Sequence, residues 1–278
     1  MIYEKINIKI DYKELGLDNN GFQPTLSTYV IDNSPEIDID RLRKAVIICP
    51  GGGYEFTSDR EAEPIAIRLN ALGYQAFVLR YSIAPADFPI ALYEVAQAVS
   101  IVREHAKEWN VDADKIVIGG FSAGAHLAAS LGMFWDKDFI EKDLGIKKEM
   151  FKPNGMLLSY PVITSKEFAH RGSIINLLGK RYDELVDYVS LEDQVSQNTP
   201  PAFIWHTYDD NVVPVENSLL LASSMKKHDI PLELHIYPHG VHGLGLASYE
   251  TASTNCNYLI QTECQNWIDM VSLWLSNL

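Results

Sequence analysis

The chain has 278 residues, 47% of them hydrophobic, enough to bury a large core within one α/β domain of ordinary size. Its 37 acidic residues against 23 basic ones leave a formal charge of −14. That balance excludes partners held by phosphate neutralisation: nucleic acid and anionic bilayers are repelled at long range, whereas a neutral small-molecule substrate is not.

Residues Met1 to Ile10 contain no continuous apolar run and no small-residue cleavage site, so no signal peptide is expected, and no later stretch is long enough to span a membrane. Cys49, Cys256 and Cys264 are too few and too unevenly placed for a disulfide framework, which points to a reducing cytoplasm. A lone bridge between Cys256 and Cys264 stays open, as does a homo-oligomer.

In chain order, Ile6, Ile8, Ile10 and Tyr12 alternate with polar residues, and Leu26 to Ile31 adds a second strand-forming run; together they predict an antiparallel edge. From Ala45 the pattern becomes nearly continuous apolar runs of the kind that buried parallel strands show: Ala45–Cys49, Gln75–Leu79, Lys115–Ile118, Gly155–Leu158, Ala202–Trp205 and Leu232–Tyr237. Helices are expected between them. Ser58 with Glu61 has the spacing of a capping box ahead of Pro64–Leu72, and Gly73 is placed to stop that helix. Pro89–Trp109, Val215–His228 and Asn255–Leu275 carry apolar residues at helical spacing. The sum is an α/β fold of about eight mostly parallel strands with helices on both faces. Residues 134–153 and 163–200 are less regular and are expected as insertions over the end of the sheet where ligands bind.

The run Ile116-Val117-Ile118-Gly119-Gly120-Phe121-Ser122-Ala123-Gly124 leads a strand into Gly-x-Ser-x-Gly, followed by the helix-prone Ala125-His126-Leu127-Ala128-Ala129. Such a turn lifts a serine hydroxyl clear of the sheet as a nucleophile; the plain alternative is a glycine-rich packing turn. A serine needs a base oriented by an acid. His126 follows Ser122 on a helix that runs back beneath the sheet, which suits packing better than catalysis. His239 and His242 follow the last predicted strand, and the glycines around His242 favour it. Asp209 and Asp210 end the preceding strand; only one of two neighbours can easily face the histidine, leaving the other for an Asx turn. Pro50-Gly51-Gly52-Gly53-Tyr54 offers unobstructed amides, so that Gly52, Gly53 and Ala123 form the candidate oxyanion hole.

These residues resemble the α/β-hydrolase esterases of the hormone-sensitive-lipase-like and acetyl-xylan-esterase-like group. The resemblance runs from about Ala45 to Leu246. It rests on the glycine run at 50–54, Arg80-Tyr81-Ser82-Ile83-Ala84-Pro85, the elbow at 119–128, His206-Thr207-Tyr208-Asp209-Asp210-Asn211-Val212-Val213-Pro214, and Gly240-Val241-His242-Gly243. It implies a single α/β-hydrolase domain over residues 1–278, and it selects Asp210 as the acid, three residues before the Val-Pro pair, and His242 as the base. Two departures stand out: Pro50 replaces the histidine many relatives place before the glycines, and Ala125 replaces a glycine after the elbow. No large amino-terminal cap is expected, which disfavours long-chain lipase activity.

The implied reaction is hydrolysis of short-chain, especially acetyl, esters on sugars such as xylo-oligosaccharides, through an acyl-enzyme and without metal or organic cofactor. Tyr54, Tyr81, Trp205 and Tyr208 are candidate surfaces for a sugar or acyl group, although aromatics near strand ends are often plain core. A serine peptidase or amidase shares the same triad, and a silent hydrolase fold used for binding is the reading from another class.

Overall fold

Strand side chains alternate between two faces, and in the computed structural model, which describes residues 1–278, both faces of the central strands are covered. The elements begin with β1 (Lys5–Asn7), β2 (Thr25–Tyr29), β3 (Arg43–Cys49), α1 (Glu63–Ala71), β4 (Gln75–Arg80) and α2 (Ile90–Glu104). They continue through β5 (Val111–Phe121), α3 (Ala123–Phe134), α4 (Asp138–Leu144), α5 (Lys148–Phe151) and β6 (Gly155–Ser159). The remainder is α6 (Arg171–Leu178), α7 (Tyr182–Leu185), β7 (Ala202–Thr207), α8 (Glu216–Lys227), β8 (Leu232–Tyr237) and α9 (Trp267–Asn277).

The eight strands form one sheet in the order β1-β2-β4-β3-β5-β6-β7-β8. As the alternation near the amino terminus predicts, β1 and β2 form an antiparallel edge, and β2 pairs antiparallel with β4. All other pairings are parallel. The carboxyl ends of β3, β5, β6, β7 and β8 therefore open onto one edge, where the loops after them meet.

On β3 the period of two is visible in the packing. Ala45, Ile47 and Cys49 join a core built with α2, α3 and α8, while Val46 and Ile48 join the opposite core with α1 and α9. In that second core Trp267 of α9 stacks on Trp205 of β7 at 5.1 Å, meets Phe121 edge-on at 5.9 Å, and donates from Nε1 to Gly245 O at 3.0 Å. One buried indole thus ties the last helix to the sheet and to the loop after β8.

Three expectations need correction. Helix is interrupted over much of Asn255–Leu275: short 3₁₀ turns occupy Asn257–Leu259 and Thr262–Cys264, and α9 starts only at Trp267. Ser253, Thr254, Asn255 and Asn257 favour turns and caps over helix interiors, and Asn255 takes φ 64°. The segment Pro89–Trp109 is helical only to Glu104 and ends in turns. Residues 134–153 do not cross the ligand-binding edge. They connect the carboxyl end of α3 to the amino end of β6, at the opposite edge of the sheet, where Arg103 of α2 donates to Met150 O and Lys152 O. Residues 163–200, which leave the carboxyl end of β6, do reach that edge: His170 lines the same cleft as Ser122.

Replacing Trp267 with alanine should cost about 3–5 kcal/mol in urea unfolding, the range for deleting a fully buried aromatic. Trp267→Phe, which keeps a ring and loses the indole donor, should cost distinctly less.

Candidate active site

Ser122 sits between β5 and α3 with φ 54° and ψ −120°, a conformation that side-chain-bearing residues rarely adopt. Its neighbours explain why the turn closes. A methyl group on Gly120 would lie 2.2 Å from Gly124 O, and one on Gly124 would lie 2.1 Å from Cys49 O. Only hydrogen fits at either place.

The hydroxyl of Ser122 lies 2.8 Å from Nε2 of His242, whose Nδ1 lies 2.6 Å from Oδ2 of Asp210. Each comes from the loop after a parallel strand: β5, β8 and β7. Oδ1 of Asp210 accepts from the amides of Val212 at 2.9 Å and Val213 at 3.0 Å, and its Oδ2 also lies 3.3 Å from His206 Nε2. Burial opposes the negative charge of Asp210. Hydrogen bonds from His206 and His242, the field of His242 and the Val213 amide outweigh it and hold the carboxyl below the usual range.

The other candidates pair elsewhere. His239 Nδ1 meets Asp209 Oδ2 at 2.7 Å, with the two side chains 73% and 51% exposed. His126 is fully buried, with Nδ1 3.0 Å from Tyr54 Oη and Nε2 3.0 Å from Val189 O. Burial pushes its pKa down to about 4, so it holds these contacts as a neutral ring.

Gly52 and Gly53, at φ 133° and 65°, line the cleft beside Ser122, and neither amide donates to a backbone carbonyl. Ala123 is the first residue of α3, where an amide has no preceding turn to bond. The loop that carries these glycines is anchored by Glu61. The sequence places Glu61 in a capping box, but Ser58 makes no side-chain cap, and the Glu61 carboxylate turns inward. Its Oε2 accepts from Gly51 N at 2.9 Å and its Oε1 from Tyr160 Oη at 2.7 Å. Tyr160 Oη in turn accepts from Gly245 N at 2.9 Å, and its ring meets the His242 ring edge-on at 5.1 Å. A buried carboxylate and phenol therefore join the glycine loop to the histidine loop.

The aromatic candidates fall outside the cleft. Tyr54, Tyr81 and Trp205 are buried and spend their polar atoms on His126, Pro50 O and Ser159 Oγ respectively. Tyr208 is exposed but does not line the cleft. Phe56, 57% exposed, and Val212 line it instead, with Thr57, Arg60 and His170. No sequence pattern marked Phe56, Glu61 or His170 for this place. The cleft measures about 610 Å³.

The BD-FAE family model matches residues 34–225. The chain belongs to the BD-FAE family. Its sequence is 39% identical over 235 residues to endo-1,4-beta-xylanase B of Butyrivibrio fibrisolvens, covering 83% of this chain and 36% of that protein. It is 34% identical over 213 residues to the acetylxylan esterase of Xylanibacter ruminicola, covering 74% of this chain and 42% of that protein. The chain thus spans well under half the length of these two curated relatives. Among solved structures, the acetyl ester-xyloside bifunctional hydrolase of Caldicellulosiruptor lactoaceticus superposes with a TM-score of 0.83 at 37% identity, over 99% of this chain and 96% of that one. The BD-FAE chain has the α/β-hydrolase fold expected from its motifs.

Asp210, with its lowered pKa, contributes stability that is complete above the ordinary aspartate range near pH 4 and is lost as pH falls through the lower folded value. Asp210→Asn should therefore destabilise the fold more at pH 7 than at pH 2.5, measured by urea unfolding at both pH values.

Proposed function

We propose that this protein is a serine carboxylesterase that removes acetyl groups from sugars, xylo-oligosaccharides in particular. The observation that carries the reading is the unbroken relay from Ser122 through His242 to Asp210, with contacts of 2.8 and 2.6 Å. His242 takes the Ser122 proton as the hydroxyl attacks the ester carbonyl. Amides of Gly52, Gly53 and Ala123 stabilise the negative charge that develops on the carbonyl oxygen. His242 then returns the proton to the departing alcohol, leaving an acyl group on Ser122. Water, activated by the same histidine, releases the acid and restores the hydroxyl.

The sugar assignment draws on the relatives' names and on the cleft, where Thr57, Ser58, Asp59 and Arg60 offer polar groups beside the exposed ring of Phe56. Such a lining suits a polyhydroxylated alcohol better than a long acyl chain. A cytoplasmic location is part of the proposal, supported by three cysteines that stay as thiols, of which Cys49 and Cys264 are buried.

Ser122→Ala should lower kcat/KM on 4-nitrophenyl acetate by at least about a thousandfold and abolish labelling by a fluorophosphonate probe in intact-mass spectrometry. Full activity in the variant would remove the mechanism. Across nitrophenyl esters of increasing acyl length, kcat/KM should be highest at two to four carbons, and a maximum at about eight or more would overturn the acetyl assignment.

A further inference from the structure

His170 lines the cleft with Ser122 and His242, yet it belongs to neither the relay nor the glycine loop. It is the N-cap of α6, and its ring nitrogens have distinct surroundings. Nδ1 accepts from the Ser173 amide at 3.3 Å and lies 2.8 Å from Ser173 Oγ. An acceptor role at Nδ1 places the ring proton of the neutral imidazole on Nε2. Nε2 has no hydrogen-bond partner within the protein, although the residue is only partly exposed.

The cap itself is held against the machinery. Asn176, on the same helix, donates from Nδ2 to Gly53 O at 2.9 Å. A methyl on Gly53 would lie 3.8 Å from Ser173 Oγ. His170 therefore stands at a fixed position relative to the glycine loop. Burial first, and then the field of His242, lower its pKa, against an opposing pull from Asp210. The lowered pKa favours the neutral ring, which shares the cleft with Ser122, His242 and the glycine loop.

We propose that His170 is a substrate-binding residue whose Nε2–H donates to an oxygen of the sugar alcohol next to the scissile ester. The inference rests on the serine esterase reading and deepens it. Recognition of the alcohol comes from a helix cap outside the relay, so the chemical step and the choice of alcohol are carried by different residues. An ester whose alcohol has no group to accept this bond gains nothing from it.

Two substitutions separate the cap from the donor. His170→Asn keeps a good N-cap acceptor but has no group at the position of Nε2. His170→Gln carries an amide that can reach the place of Nε2. Initial rates of both variants and of wild type are to be measured on acetylated xylo-oligosaccharides and on 4-nitrophenyl acetate, with Ser122→Ala as the blank. The expected result for His170→Asn is a fall in kcat/KM on the sugar ester of about tenfold or more, mainly through KM, with the nitrophenyl ester within about twofold of wild type. His170→Gln should recover part of the loss on the sugar ester. An equal fall on both esters, or no fall on the sugar ester, overturns the assignment. Hydrolysis of nitrophenyl acetate by wild type with no hydrolysis of the sugar ester also overturns it, while leaving the serine mechanism intact. Wild-type rates no higher than those of Ser122→Ala on both esters would remove the mechanism itself, and the assignment with it.

Discussion

The Ser122 hydroxyl stands beside His242 only because the backbone around it folds into a space that excludes side chains. Ser122 at φ 54° stands above the sheet because Gly120 and Gly124 let carbonyls approach to distances no methyl would permit. Gly124 in particular touches Cys49 O and is close to Pro50 O, the exit of β3. The closeness that exposes the Ser122 hydroxyl thereby also positions the glycine loop beside it. Strain at one residue and contact between two adjacent strands are the same structural fact.

Around this turn the protein uses buried polar groups as struts. Glu61 and Tyr160 link the amides of Gly51 and Gly245, so the loop after β3 and the loop after β8 are held through one carboxylate and one phenol. His206, fully buried, braces the Asp210 loop from behind, with Nε2 3.0 Å from Val213 O and Nδ1 2.8 Å from Ser218 Oγ. Groups of this kind are costly to bury unless every contact is met, which makes their loops unusually well defined.

Much of the architecture could be read from the chain because the parallel strands are apolar on both faces and their boundaries are marked by glycine, proline and aspartate. Ser122, Asp210 and His242 could be read for a related reason: each follows a strand directly, so its neighbourhood in space is foreshadowed by its neighbourhood in sequence. Asp210 needed the family resemblance to be chosen over Asp209, and the geometry separates them sharply, one buried on His242 and the other exposed on His239. Glu61, Phe56 and His170 were hidden because they come from turns and an irregular segment whose place is set only by tertiary packing. Glu61 even fits a local capping pattern that the fold declines in favour of a contact 99 residues away. Tyr54, Tyr81 and Trp205 do lie near strand ends, but their bulk is buried in the core.

His126 connects two further parts of this arrangement. Its neutral ring bridges Tyr54, in the glycine loop, to Val189, in the segment that also carries His170. Two stretches that are far apart in the chain share one buried imidazole, and if either leaves, one ring nitrogen of His126 loses its nearest partner in the core. The glycine loop and the segment around Val189 are thus tied to the same side chain of α3, and opening either one costs the pairing of a buried ring nitrogen.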